Sequence, residues 1–361
     1  MPWGYLTSVT LPAVCVLAVF AARRAPRPLA TIFFYLGFIN ELPIFAAYFL
    51  IGSAALAAGQ GDLDTSVGWL ALAISLPTLL GLAVLVARAL RTGRVLTRAL
   101  TEQWGPLPTR ARTRVSVLRM LLWPNLRRRF DVQRTANVRY GDAHLHTLDL
   151  YRRRHAGAGN RPVFIHLHGG GFVGGRKNQE SLPLIYQLAR SGWWCVSANY
   201  RLSPAASRDD QVTDVREIIA WVRAHAHRYG ADPNRIVLAG GSAGAHLAAR
   251  AVLPEASPGL KAVVMLYGGY PDLAAIDVSP GTPPFLIMHG THDTLMPVEV
   301  ARQFVARLRT RSPSPVVYAE LPGAGHTFDI FHSPRSKAIV EATQAFLDDV
   351  VRGAAPGSSR Y

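Results

Sequence analysis

Ser242 stands at the centre of Gly240-Gly241-Ser242-Ala243-Gly244, after the apolar run Arg235-Ile236-Val237-Leu238-Ala239 and before the helix-forming stretch His246-Leu247-Ala248-Ala249-Arg250-Ala251. A serine hydroxyl is a poor nucleophile at neutral pH and becomes reactive beside an imidazole base that a carboxylate orients. A G-x-S-x-G turn between a strand and a helix meets the first need of that chemistry. It exposes the hydroxyl on a strained backbone and requires small residues two positions away, here Gly240 and Gly244. The helix that follows aims its unpaired N–H groups at developing negative charge. The pentapeptide is weak evidence by itself, because a chain with 31 glycines also forms such turns for purely structural reasons.

Further features stand where this nucleophile needs them. Val163-Phe164-Ile165-His166-Leu167 reads as a buried strand running into His168-Gly169-Gly170-Gly171-Phe172, whose glycines let backbone N–H groups converge on one small concavity, an oxyanion hole. Pro284-Phe285-Leu286-Ile287-Met288 leads into His289-Gly290-Thr291-His292-Asp293, which sets Asp293 in a loop past a strand's carboxyl end. Pro315 to Leu321 then leads to Pro322-Gly323-Ala324-Gly325-His326. In an open parallel sheet these groups meet only if each comes from a loop at the carboxyl end of a different strand. All three do. Asp293 as a plain turn former and His326 as a solvated loop residue are the competing readings, and four elements in register outweigh them. Asp272 and Asp277 are alternative acids, but they follow the strand-like run from Ala262 to Tyr267, one strand too early.

Residues 135–352 therefore resemble an α/β-hydrolase, similar to the hormone-sensitive-lipase-like carboxylesterases. The resemblance rests on the His168-Gly169-Gly170-Gly171 run, on Tyr200-Arg201-Leu202-Ser203-Pro204 after strand-like Trp194-Cys195-Val196-Ser197-Ala198, and on the elbow. It implies Ser242 as nucleophile, His326 as base, Asp293 as orienting acid and Gly170, Gly171 and Ala243 as oxyanion donors, in a serine carboxylesterase or lipase. Two departures stand out. The family usually carries Asp where this chain has Gly241, and the acid loop looks more like that of dipeptidyl-peptidase-type or feruloyl-esterase-type relatives. An acyltransferase using the same acyl-enzyme, or a non-catalytic membrane adaptor, are the alternatives.

The elements that must position these residues alternate, with helical patterns at Gln211–Tyr229 and Val298–Arg311 between strand-like runs. Alternation of this kind predicts an α/β fold, a mainly parallel sheet covered by helices on both faces. The connection from Gly268 to Pro283 leaves little room for an inserted cap. Substrate access must then be shaped by residues before 163 or by a membrane surface.

Three apolar runs precede this domain, at residues 6–22, 29–58 and 67–87, the last without a charged side chain and long enough to cross a bilayer. They predict an all-α transmembrane domain of about three helices over residues 1–90, then a basic amphipathic connector (91–134), the catalytic domain (135–352) and a disordered tail (353–361). A signal peptide is disfavoured for the first run because no basic residue precedes it. Arg23, Arg24 and Arg27 lie between the first two runs, Asp62 and Asp64 between the next two, and Arg88, Arg91, Arg94 and Arg98 after the third. The positive-inside rule then places the amino terminus outside and the catalytic domain on the cytoplasmic face of the cell membrane. Glu41 interrupts the second run; the bland reading is a kinked helix whose Asn40-Glu41 pair meets water or headgroups, the functional one a polar site between helices.

The net charge of +16 is concentrated beside the spans, with Arg110, Arg112, Arg114, Arg119 and Arg127-Arg128-Arg129 in the connector. Within it, Val115–Trp123 reads as an interfacial helix, or as a simple link in an arginine-rich chain. No nucleic-acid module is present, so membrane lipid is the expected counter-charge and a small-molecule or lipid ester the expected substrate. Cys15 and Cys195 make no disulfide framework. No metal is expected, since His144, His146, His225 and His227 read as surface residues, and no phosphate loop or dinucleotide fingerprint implies a cofactor.

Overall fold

The computed structural model describes residues 2–107, 117–125, 128–154, 159–255 and 257–353. Uncharged apolar sequence builds its amino-terminal part: α1 (Pro2–Ala21), α2 (Ala30–Leu36), α3 (Pro43–Gly59) and α4 (Ser66–Gln103). Two helices, α1 with its continuation to Arg24 and α4, are long and apolar enough to cross a membrane. The run expected as one span over 29–58 is instead broken. The helical stretch Arg27–Glu41, which contains α2, meets α3 at 80°. Pro43 is the cause, because a proline at the start of α3 disfavours helical backbone at the residue before it, and Leu42 sits at φ −126, ψ 35. The three helices α1, α3 and α4 pack together. Tyr5 Oη lies 3.1 Å from Ser75 Oγ, and a Cβ at Gly81 would come within 2.6 Å of Val16, so the small residue sets how closely α1 and α4 approach. Leu11, Leu17, Ile51, Leu76 and Leu80 point outward and are exposed.

α4 differs from expectation at residue 90, where a domain boundary and a basic connector were anticipated. It runs unbroken for 38 residues, about 57 Å at 1.5 Å per residue, against a hydrocarbon core of about 30 Å. Its arginines obscured a second apolar face. Leu96, Ala99 and Leu100 are buried against the catalytic domain while Arg91, Arg94 and Arg98 point to solvent. Beyond it, α5 (Val117–Leu122) falls within the segment read as interfacial, and Leu118, Leu122 and Trp123 are exposed. Arg110, Arg112, Arg114, Arg127 and residues 354–361 lie outside the described residues.

The catalytic part is one sheet of β1 (Val132–Arg139), β2 (Thr147–Arg153), β3 (Arg161–Leu167), β4 (Trp194–Ala198), β5 (Ala231–Gly241), β6 (Leu260–Leu266), β7 (Phe285–Gly290) and β8 (Val316–Leu321), in the order 1-2-4-3-5-6-7-8. β2 is antiparallel to both neighbours and every other pairing is parallel. The helices are α6 (Leu182–Arg190), α7 (Arg208–His225), α8 (Ala243–Val252), α9 (Val298–Arg311) and α10 (Pro334–Val350). α7, α8 and α9 cover one face; α6, α10 and the end of α4 cover the other. Strands covered on both faces become continuously apolar, and Val163 through Leu167 are all buried. The open edge at β8 is blunted by Gln103 at the end of α4, which accepts from Tyr318 N at 2.9 Å and donates to Tyr318 O at 3.1 Å.

Candidate active site

β5 turns directly into α8 through Ser242, whose backbone sits at φ 50, ψ −116, a conformation that L residues rarely adopt. The flanking glycines are sterically required. A Cβ on Gly240 would lie 2.3 Å from the Gly244 carbonyl carbon, and one on Gly244 would lie 2.3 Å from Leu167 O. The loops after β7 and β8 bring the other two groups to this hydroxyl. His326 Nε2 is 2.9 Å from Ser242 Oγ, and His326 Nδ1 is 2.6 Å from Asp293 Oδ2. The other Asp293 oxygen accepts the N–H groups of Leu295 (3.0 Å) and Met296 (2.9 Å), which fixes the carboxylate and leaves Oδ2 for the imidazole. Burial pulls the His326 pKa down, but the charge and hydrogen bond of Asp293, aided by Glu180 and Asp329, hold it above its ordinary value. The competing acids are elsewhere: Asp272 accepts from Ala274 N and meets Arg307 at 3.3 Å, and Asp277 lies 3.9 Å from Arg311.

The glycine run after β3 curls over the hydroxyl. Gly170 and Gly171 have φ of 118 and 61, and a Cβ on Gly170 would come within 2.2 Å of Gly174 O. Among the described residues no backbone carbonyl takes the Gly170 or Gly171 N–H. Ala243, first in α8, has no acceptor within its own helix. Gly169 lacks a side chain for the same crowding, since its Cβ would lie 2.9 Å from that of Ser242. His168 is a support: its ring stacks on Tyr200 at 4.5 Å, Tyr200 Oη donates to its carbonyl at 2.8 Å, and burial pushes its pKa down to about 4, so it stays neutral.

Glu180, which sequence reasoning missed, accepts the Gly169 N–H at 2.7 Å. It also explains one departure from the family pattern. A Cβ on Gly241 would lie 2.7 Å from Tyr267 Oη and 2.8 Å from Glu180 Oε2, so the space an Asp would use is already taken by a carboxylate from another segment. Burial raises the Glu180 pKa to about 7, and Asp329 acts in the same direction against the Gly169 N–H and His326. Asp329 is held by Tyr267 Oη at 2.7 Å and by Ser181. Nothing in the local sequence marks Glu180.

The amino-terminal bend lies over His326. A small cavity over His326 is walled by Val19, Phe34, Phe38, His292 and Thr294, with the Phe34 and His326 ring centroids 6.0 Å apart. Thr294 Oγ1 donates to Ala30 O at 3.0 Å, and Asn40 Nδ2 donates to Gly323 O at 2.7 Å. Glu41 Oε1 lies 3.1 Å from Arg335 Nε, and both side chains are buried. Asn40 and Glu41 therefore meet neither water nor headgroups; they tie the bend to the catalytic domain. The isolated Glu41 in an apolar run was the signal, but its partner lies 294 positions away.

Among the described residues, one acidic and histidine group has ligand-like spacing, His146 with Asp214 and Glu217. His146 was expected at the surface and is instead buried, stacked on Tyr140, with Nε2 3.2 Å from Asp214 Oδ1. Asp214 already holds a cation, because the Arg201 guanidinium donates to Oδ1 at 2.6 and 2.9 Å. His144 is exposed and His225 stacks on Trp221.

Two family models divide the catalytic part. The BD-FAE model matches residues 148–269, which carry the glycine run and the elbow, and the prolyl oligopeptidase family model matches residues 267–353, which carry Asp293 and His326. Esterase LipQ of Mycobacterium tuberculosis is 33% identical over 316 residues, covering 72% of this chain and 75% of LipQ. The chain belongs to the α/β-hydrolase carboxylesterase family. The probable carboxylic ester hydrolase LipM of the same organism is 36% identical over 267 residues, and the match spans 62% of its length. Among solved structures, Thermogutta terrifontis esterase 2 phosphoramylated by tabun superposes with a TM-score of 0.52 at 25% identity, over 97% of its own chain and 64% of this one. The family fold thus accounts for nearly all of that esterase and leaves the rest of this carboxylesterase-family chain without a counterpart there.

Proposed function

We propose that this chain is a membrane-anchored serine carboxylesterase that hydrolyses lipid-like or acetylated esters. The observation that carries the reading is the hydrogen-bonded line from Asp293 through His326 to Ser242 Oγ, at 2.6 and 2.9 Å, beside the N–H groups of Gly170, Gly171 and Ala243. Ser242 Oγ attacks the ester carbonyl as its proton passes to His326 Nε2. The carbonyl oxygen, now an oxyanion, is received by the three backbone N–H groups. His326 returns the proton to the departing alcohol, leaving an acyl group on Ser242. It then takes a proton from water, whose attack releases the acid and restores the hydroxyl. Asp293, fixed by two N–H groups, holds the imidazole in the tautomer that presents Nε2 to serine and balances its charge in the transition state. The names and structures of the relatives support ester hydrolysis.

Anchoring is supported by α1 and α4, and by the arginines that gather on the catalytic side of both helices. In this reading the catalytic domain faces the cytoplasm and its lipid contacts are with the cell membrane. The test uses the full chain in detergent. Ser242→Ala is expected to reduce ethyl acetate hydrolysis at least about 1000-fold and to abolish fluorophosphonate labelling, with an unchanged thermal unfolding midpoint. Undiminished turnover in that variant rejects the assignment.

A further inference from the structure

The 80° bend at Leu42 leaves a wedge between α1 and the start of α3, an open groove of about 600 Å³. That is the size of a small-molecule site. Leu11, Pro12 and Cys15 form one wall, Phe38, Leu42 and Ala46 the other. The lining is almost wholly apolar. Its two hydroxyls are spent within α1, where Thr7 Oγ1 donates to Trp3 O at 2.8 Å and Ser8 Oγ donates to Tyr5 O at 2.8 Å. Nothing in the groove offers a headgroup a hydrogen bond or a charge, so its occupant is hydrocarbon. The mouth lies on the outer face of the helices, where Leu11 and Phe49 are more than half exposed, on the surface that α1 and α3 would present to lipid.

The inner end abuts the active-site cavity, with Phe38 as the wall between them. Phe38 is a wall of the groove and also of the cavity over His326, where its ring packs against Phe34 at 5.1 Å and Phe331 at 6.3 Å. That cavity touches His326, His292 and Thr294 but not Ser242, Gly170 or Gly171. The side matters. In acyl transfer the imidazole hands its proton to the departing oxygen, so the alcohol half of the ester lies against the histidine, and the acyl half lies over the serine and the oxyanion donors.

Resting on the esterase reading above, we propose that the groove holds the hydrocarbon chain of the alcohol half of the substrate. The natural ester is then a short acyl group on a long-chain lipid alcohol, drawn sideways from the bilayer with its ester oxygen led past Phe38 and Phe34 to His326. From Thr7 to Cys15 the groove follows α1 for nine residues, about 12 Å of helix. That length suits an extended medium or long chain and far exceeds an ethyl group.

The experiment compares dodecyl acetate, ethyl dodecanoate and ethyl acetate as substrates of the full chain in detergent micelles. Ala46→Trp fills the groove, and Leu80→Trp, on the exposed face of α4 and outside the groove lining, is the control. The expected result is an at least tenfold fall in the dodecyl acetate to ethyl acetate ratio of kcat/KM in Ala46→Trp, with the ethyl dodecanoate to ethyl acetate ratio unchanged there and both ratios unchanged in Leu80→Trp. A ratio that does not move in Ala46→Trp, or an equal fall for ethyl dodecanoate, overturns the proposal. A second measurement needs no new fold. Cys15 is partly exposed in the groove while Cys195 is buried in β4, so a long-chain maleimide reacts at Cys15 alone. Alkylation is expected to slow dodecyl acetate hydrolysis selectively and Cys15→Ala to abolish that sensitivity; no selective slowing overturns the groove. Ethyl acetate turnover and fluorophosphonate labelling of the wild type monitor the esterase reading itself, whose failure is thereby told apart from failure of the groove alone.

Discussion

The loops that carry Ser242, Asp293 and His326 and the bend that carries Phe34, Phe38 and Glu41 meet around His326, yet they are specified in different ways. The first follow β5, β7 and β8 of one parallel run of strands, so the sheet places them, and a loop such as that of Asp293 is anchored by its own N–H groups, those of Leu295 and Met296. The second is held by contacts between residues nearly 300 positions apart, Asn40 with Gly323 and Glu41 with Arg335. Chemistry resides in local motifs, whereas access resides in long-range docking. The two should therefore be separable by substitution.

The largest separation is expected from Asp293→Asn, which keeps the shape but favours the wrong imidazole tautomer. It should lower kcat for short esters by roughly 10⁴-fold while limited proteolysis of the amino-terminal bend stays unchanged. Arg335→Met should do the reverse. It strands the Glu41 carboxylate in a buried site, a loss of about 3–5 kcal/mol in the stability of the docked bend. Proteolysis near residues 25–43 and the thermal midpoint would register it, and Glu41→Gln in the same chain should recover part of the loss. A bend equally protected in Arg335→Met would mean that the ion pair does not hold it.

Gly241→Asp restores the residue usual in the family and tests the boundary between the two regions. With Tyr267 Oη and Glu180 Oε2 within 3 Å of the new Cβ, overpacking alone should cost about 1–3 kcal/mol, with two carboxylates crowded together as well. Adding Glu180→Ala should relieve it, as denaturant midpoints would report. The smallest effect is expected from Glu180→Gln. The ionised fraction of Glu180, small below its pKa of about 7, stabilises the protonated form of His326, so its removal lowers the His326 pKa slightly. With the neutral imidazole as the proposed base, the acid limb of kcat/KM against pH should move to lower pH, by a fraction of a unit. An acid limb displaced upward would contradict this placement of the charge.

The same division explains what could be read beforehand. Strand ends and the spacing of Ser242, Asp293 and His326 are local patterns, and Trp194–Ala198 and Val298–Arg311 fall where periodicity placed them. Residues 96–100 were harder, because the arginines of α4 lie one turn from the apolar side chains that dock on the sheet, and charge density masked a helical stripe. Glu41 was conspicuous as a charge without a visible partner, and Pro43 as a helix breaker, yet only the folded chain brings Arg335 to the one and turns the other into an 80° corner. Gly241 likewise made sense only once Glu180 arrived from a separate segment to fill its space.

The unbroken length of α4 fixes the working distance of the enzyme. A continuous helix from the apolar bundle to the edge strand cannot pivot as a flexible tether would, so in the membrane-anchored reading proposed above the catalytic cleft is held at one height over the leaflet. In that reading, encounter with a membrane-borne ester becomes a search in a plane. Turnover should follow the mole fraction of ester in the membrane rather than its bulk concentration, and diluting that surface with inert lipid should slow the reaction even when the total amount of ester in the vessel is constant.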